Sequence, residues 1–330
     1  MHFRLFCFLL SVGFLPLVGS LQLPKLAVPK SSAIKSNRRS FLRTSLLLPF
    51  LPQAANAASV SSTITPAPPP PILCNPSLST LKKNGRTVTI LGTAHVSDSS
   101  AELSRDLVRA LKPDTVFVEL DAKRVKGGRF GEAGDNSAKA APTPQKPSFV
   151  SAVKSKILGK IIGGMYSKLS SYGFSTGLEF TYAIQEGVAI NSKIVLGDRD
   201  VDVTLSRLSD AISATDLNVV DFSTLDKELA SEIDMGDLDS KDLDKSQISD
   251  LIETMKQRDN VTKLMKQLRN QMPKVYEALV QERDEYMAKG INGEDSSQVM
   301  VAVCGIAHLE GMERVLKEEG WSAVDYCKNI

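Results

Sequence analysis

Acid is missing from the front of this chain. None of its 38 Asp and Glu residues falls within residues 1–57, whereas that stretch carries Arg4, Lys25, Lys30, Lys35, Arg38, Arg39 and Arg43. Setting those seven of the 40 basic residues aside turns a formal +2 into 33 basic against 38 acidic residues, a formal −5. That balance argues against a nucleic-acid partner, which requires a basic face. Long apolar runs are lacking as well: residues 5–18 fall short of the roughly 20 residues a bilayer needs. Cysteine is scarce, and beyond Cys7 only Cys74, Cys304 and Cys327 remain. Three is an odd number that fits neither a disulfide framework nor a Cys-x-x-Cys metal site. Cys304 reads as a small buried hydrophobe, and a Cys74–Cys327 bridge is open rather than demanded. No glycine loop leads into Lys-Ser or Lys-Thr, so the phosphate-cradling loop is excluded.

What the front does contain reads as stacked addresses. Arg4 precedes the apolar run, which ends in Gly19 and Ser20, the layout of a secretory signal. Residues 21–37 are basic, hydroxyl-bearing and acid-free, as transit peptides are. Asn37-Arg38-Arg39-Ser40-Phe41-Leu42 then resembles a twin-arginine export signal and is followed by an Ala55-Asn56-Ala57 cleavage site. Three addresses in series predict a plastid protein of the thylakoid lumen; the alternative is a secreted protein with one signal and a basic linker. Residues 58–77, with Pro68-Pro69-Pro70-Pro71, read as a Pro, Ser and Thr-rich linker.

The rest is organised around a repeat. Residues 87–111 (TVTILGTAHVSDSSAELSRDLVRAL) and 299–316 (VMVAVCGIAHLEGMERVL) each run a short apolar strand through Gly-x-x-His into a helical pattern. Gly92 and His95 form the first turn, with Ser99 and Glu102 at capping-box spacing; Gly305 and His308 form the second. The chain has three histidines, and the third, His2, lies in the presequence. Both histidines of the mature domain thus stand at the carboxyl end of a strand, where open α/β sheets place ligand sites. Residues 115–119 (TVFVE) give a second strand ending in Glu119, followed by Asp121 and Arg124. Residues 126–147 lack periodicity and read as a mobile insertion, and 149–170 as an amphipathic helix. Residues 176–186 predict a helix bearing Glu179 that Gly187 ends. Residues 192–197 form a strand closed by Asp198-Arg199-Asp200, and the helix after it carries Arg207. Residues 221–253 read as a solvated acidic face. A long helical pattern at 260–289 is interrupted by Pro273 and holds Glu282-Arg283-Asp284. Residues 290–297 read as a polar loop, and 321–326 as a last short strand. The expected fold is α/β: a mixed or parallel sheet built from two strand-GxxH-helix halves, over residues 78–330, with a helical subdomain at about 148–290.

Gly92-Thr93-Ala94-His95, Glu119-Leu120-Asp121 with Arg124, Gly197-Asp198-Arg199-Asp200, Glu282-Arg283-Asp284 with Tyr286 and Met287, and Gly305-Ile306-Ala307-His308 together resemble the TraB/PrgY family. That family is related to the Tiki metalloproteases and to ChaN-like and erythromycin-esterase-like proteins. The resemblance covers roughly residues 86–326 and implies a Tiki-like fold, a divalent-metal site and peptidase activity, in a family better known for regulating peptide signals. Archaeal and bacterial members often carry a carboxyl-terminal membrane domain; this chain stops four residues after Tyr326, so no integral membrane segment is expected in the mature protein.

Two imidazoles with one or two carboxylates suit Zn, Mn, Co or Fe. The expected ligands are His95 and His308, with Glu119 as third ligand or general base and Glu179 as a further candidate. Arg124, Arg199, Arg207 and Arg283 are candidates for orienting carboxylates or binding a substrate carboxyl group; each is equally consistent with a structural ion pair. The leading expectation is a divalent-metal-dependent, peptidase-like hydrolase. The alternative is a non-catalytic regulator that binds a peptide or a small ligand such as a tetrapyrrole in the same pocket.

Overall fold

Six strands form one sheet in the order β4-β3-β5-β2-β1-β6. The computed structural model describes residues 71–125, 176–216 and 244–327. The presequence, the linker to residue 70, the insertion at 126–147 and the helix expected at 149–170 lie outside the described residues. Strands β1 (Leu78–Lys83) and β2 (Arg86–Thr93) make a hairpin closed by Asn84 and Gly85, at φ 50° and 80°. Two central residues with positive φ, in an Asn-Gly pair, are the usual two-residue hairpin solution. LSTLKK shows no clean alternation, so β1 is not predicted by its sequence pattern.

The two halves of the repeat lie side by side. β2 pairs in parallel with β5 (Val299–Gly305) from Thr87↔Val299 to Thr93↔Gly305. β3 (Thr115–Val118) pairs in parallel with β5 on one side and with β4 (Lys193–Leu196) on the other. β1 and β6 (Ser322–Val324) add antiparallel strands at one edge, so the sheet is mixed. Because β5 stands between β3 and β2, the end of β3 faces the second histidine rather than the first.

Helices cover both faces. On one, α1 (Asp98–Leu111) and α2 (Leu178–Ala189) bury Leu107, Val108, Phe180 and Ile184 against Leu91, Val116, Val118, Val301 and Val303. On the other face lie α3 (Val201–Ser213), α4 (Lys245–Met255), α5 (Arg258–Gln271), α6 (Glu282–Asn292) and α7 (Ile306–Glu318). These pack with Val88, Ile90, Phe117, Met300 and Ala302. Alternate residues of β5 thus serve opposite layers, as the two-residue period of a strand requires. A helical turn, Pro273–Tyr276, and a π-helical turn, Glu277–Gln281, lead into α6; Pro273 stops α5 because its ring cannot continue a helix.

Local expectations shift in five places. The N-cap of α1 is Ser97, whose side chain accepts from the Ser100 amide, so the Ser99–Glu102 box does not form. α2 runs past Gly187 to Ala189. α6 continues to Asn292, held by buried Ile291, so the loop expected from 290 begins later. The described end of the acidic run is α4, which buries Ile248, Leu251, Ile252 and Met255, the i, i+3, i+4, i+7 stripe of a packed helix rather than a solvated face. Finally, Gly305 is the N-cap of α7, so His308 sits in a helix's first turn while His95 precedes one.

Among the described residues no helix is long and apolar enough to cross a membrane. Cys74 and Cys327 form a disulfide, with Cα atoms 5.4 Å apart, tying the turn Pro71–Cys74 to the chain beyond β6. Cys304 is free and buried.

Candidate functional site

The chain leaves β2 through Ala94–Ser97, and the turn carries His95 inward, where it is 1% exposed. Its Nδ1 lies 2.5 Å from Oε1 of Glu179, in the first turn of α2. α2 is held in place there by Ser104 of α1, whose hydroxyl donates to the Glu179 carbonyl at 2.7 Å. Phe180 covers the imidazole, with ring centroids 5.3 Å apart. A carboxylate on Nδ1 favours the tautomer whose Nε2 carries a lone pair, and that buried Nε2 has no hydrogen-bond partner among the described residues.

His308 repeats this arrangement from a different scaffold. Its Nδ1 lies 2.6 Å from Oδ1 of Asp284, on α6. The approach depends on Gly311, one turn along α7: a Cβ built there would stand 1.9 Å from Oδ2 of Asp284. Each histidine of the repeat therefore has one nitrogen fixed by a buried carboxylate. The Nε2 of His308, however, has close neighbours: Nη1 of Arg283 at 3.0 Å and Oε1 of Glu119 at 3.4 Å.

Glu119, the residue after β3, is fully buried. Its Oε2 accepts from the Gly305 amide at 2.6 Å, so the carboxylate sits on the N-terminus of α7, where the helix dipole favours a negative charge. Its Oε1 accepts from Nη2 of Arg283. Arg283 also donates from Nε and Nη2 to Asp198, at 3.1 and 2.8 Å, and from Nη1 to the Leu279 carbonyl at 3.2 Å. Asp198, just past β4, accepts in addition from Arg124, which donates from Nε to Asp121. Nη1 of Arg124 is buried and has no partner among the described residues. Glu119, Asp121, Asp198, Asp284 and Glu179 thus face two guanidiniums and two imidazoles at the carboxyl ends of β2, β5, β3 and β4.

Burial works against the charged form of Glu119, but His308 and Arg283 outweigh it and hold the carboxyl well below its usual range. Asp198 is lowered in the same way, burial being offset by Arg283 and Arg124. Asp284 is pushed up to about 6, chiefly by burial. His308 is pushed up to about 9: burial opposes its charge, and the Glu119 carboxylate overcomes that. Two descriptions of its Nε2 then disagree, since an acceptor from Arg283 is unprotonated and an imidazolium is not. We take the imidazolium as the form near neutrality, because Nε2 then points its proton at Glu119 while Nη1 of Arg283 keeps the Leu279 carbonyl.

The candidates therefore divide. His308, Glu119, Arg283 and Arg124 form one buried network, and His95 with Glu179 forms a neighbouring pair. Glu179 stands as the partner of His95 Nδ1. Arg199 and Arg207 lie outside: Arg199 bonds Thr204, Glu282 and the Ala278 carbonyl, and half-exposed Arg207 pairs with Glu282, together tying α3 to the start of α6. The sequence reading assigned no role to Asp198, Asp284, Asp121 or Gly311. The first two stand beside arginines in the quoted motifs, which was the one signal available. Among the described residues, no group of three or more His, Cys, Asp or Glu side chains is gathered for a metal ion.

The model of the TraB/PrgY/gumN family matches residues 77–323. An uncharacterized protein of Methanocaldococcus jannaschii is 30% identical over 246 residues, which is 74% of this chain and 57% of that protein. The TraB domain-containing proteins of Mus musculus and Homo sapiens are 27% and 26% identical over 256 residues, covering 70% of this chain and 63% of theirs. The chain thus spans about six-tenths of the length of these curated relatives.

Proposed function

Because the chain belongs to the TraB/PrgY/gumN family, we propose that it is a divalent-metal-dependent hydrolase acting on peptides, with His95 and His308 as ligands. One observation carries this reading: two histidines just past the carboxyl ends of adjacent parallel strands, each with Nδ1 fixed by a buried carboxylate. Imidazoles that ligate metals are held in this way, which sets the tautomer and raises the basicity of Nε2. The donor set fits a divalent ion at His95, whose buried Nε2 has no partner among the described residues. It fits at His308 and Glu119 once the Arg283 guanidinium leaves them. The excess of carboxylates over guanidiniums in the cluster favours a cation as well. When bound, Zn, Mn, Co or Fe supplies Lewis acidity and makes water a better acid.

In this reading Glu119, kept ionised at neutral pH, is third ligand or proton acceptor. Glu179 and Asp284 orient the imidazoles, with Glu179 a further candidate ligand. Arg124 and Arg283 orient carboxylates, and Arg199 and Arg207 fix the α3–α6 wall.

A second reading follows from the position of Arg283: a regulator that binds a peptide or small ligand such as a tetrapyrrole without turning it over. Elemental mass spectrometry on protein purified without added metal, beside His95→Ala and His308→Ala, separates the two. Near-stoichiometric metal lost in both variants is the outcome expected of the hydrolase. A folded wild type that takes up no Zn, Mn or Co when offered them would sink it and leave the binding reading.

The three stacked addresses lead us to propose the thylakoid lumen as location, and a disulfide suits a compartment that forms them. Subfractionation of plastids with an antibody to the mature domain checks this; signal in the medium instead would select the secreted alternative.

A further inference from the structure

We infer that Arg283 is a built-in competitor for the divalent ion, a side chain that must release His308 and Glu119 before both can ligate. The inference rests on the metal reading above and adds to it what sets the affinity. Nη1 of Arg283 lies 3.0 Å from Nε2 of His308, and its Nη2 bonds Oε1 of Glu119. These are the two donor atoms an ion bridging the second histidine and the β3 carboxylate would use. An ion bound at about 2 Å from Nε2 would take the place of its proton and crowd Nη1, so ion and guanidinium exclude one another by volume as well as by charge.

The geometry also gives Arg283 somewhere to stay. Asp198 accepts from both its Nε and its Nη2, at 3.1 and 2.8 Å. Asp198 is itself anchored by Arg124 and by the Arg199 amide at 2.7 Å. Arg283 can therefore pivot on Asp198, giving up Glu119 and His308 while its charge remains matched. Among the described residues the Nε2 of His95 has no partner, so Arg283 competes at the second histidine.

The test is Zn(II) or Mn(II) alone, titrated into the full chain in competition with a chromophoric chelator, for wild type, R283Q, R283K and, as a surface control, R109Q. R283Q is expected to bind at least about tenfold more tightly than wild type, with R283K between them and R109Q unchanged. Wild type that binds while a folded R283Q binds no tighter overturns the inference and leaves the metal reading standing. Metal taken up by R283Q and refused by wild type does the reverse: the inference stands, and the metal reading fails for the native chain. Binding by none of the four overturns both. Should R283Q and R283K fail to fold, the ¹⁵N resonance of the Arg283 Nε–H in wild type decides: it must shift or exchange faster as the ion is added, and an unchanged resonance at saturation overturns the proposal.

Discussion

At His308 one imidazole meets Glu119, Asp284 and Arg283 within 3.4 Å, and the sign of their sum has consequences for stability. The folded-state pKa of about 9 lies above the ordinary 6.5. A group raised in this way contributes stability that is fully present below about 6.5 and lost as pH rises through about 9. Asp284 acts in the same sense at lower pH, its contribution fading as pH rises through about 6. Denaturant unfolding of the apo protein should therefore show stability falling between pH 6.5 and 9, with a shallower fall in His308→Gln; parallel profiles would remove the cationic imidazole. Gly311 belongs to the same scale. Gly311→Ala puts a methyl group 1.9 Å from Oδ2 of Asp284, so the carboxylate must leave His308 or the helices must part. Overpacking of this kind costs roughly 1–3 kcal/mol. The variant should lose that much in urea unfolding and bind metal more weakly; wild-type values for both would mean Asp284 is dispensable to His308.

Between elements, the turn that carries His95 is held from outside by α4. The Ser97 hydroxyl caps α1 and donates to Glu253, near the end of α4, while Ser99 donates to the same carboxylate at 3.0 Å. Just past the helix, Lys256 pairs with Glu253 at 2.6 Å and reaches Ser99 and Ser100. A carboxylate at the N-terminus of a helix is favoured by the exposed amides and the dipole. Ser97→Ala removes the cap and the tether at once. A lost serine cap costs about 0.5–2 kcal/mol, and we expect hydrogen exchange to quicken in both 94–101 and 245–255. Faster exchange in the first segment alone would show that α4 is held by its apolar stripe and not by Glu253.

For the whole molecule, the covalent constraint is the Cys74–Cys327 bridge, which spans 253 positions of sequence. Closing so long a loop removes much of the freedom of the unfolded chain, and the chain-entropy account puts the gain on the order of 5–6 kcal/mol. Reduction, or Cys74→Ser, should lower the unfolding temperature by several degrees while leaving the folded site unchanged. The same midpoint with and without reductant would mean the bridge does not form. Metal titration of the reduced protein provides the second readout, because β2 and β5 are inner strands, whereas the bridge joins the chain before β1 to the chain after β6.

The sequence by itself determined the α/β class, the paired strand-Gly-x-x-His units and the two histidines, because the pattern of apolar strands and glycine turns is local and periodic. It also placed Glu119 at a strand end and exposed the acid-free front. Tertiary structure decided the rest. Only the insertion of β5 between β3 and β2 sends Glu119 to His308 instead of His95. Only the docking of α2 and α6 assigns Glu179 to one imidazole and Asp284 to the other. Only the crossing of α6 over the strand ends separates Arg283, bonded at the centre, from Arg199 and Arg207, which pair at the α3–α6 wall. Strand order and helix docking join residues far apart in the chain, and such contacts leave no periodic trace in a single sequence.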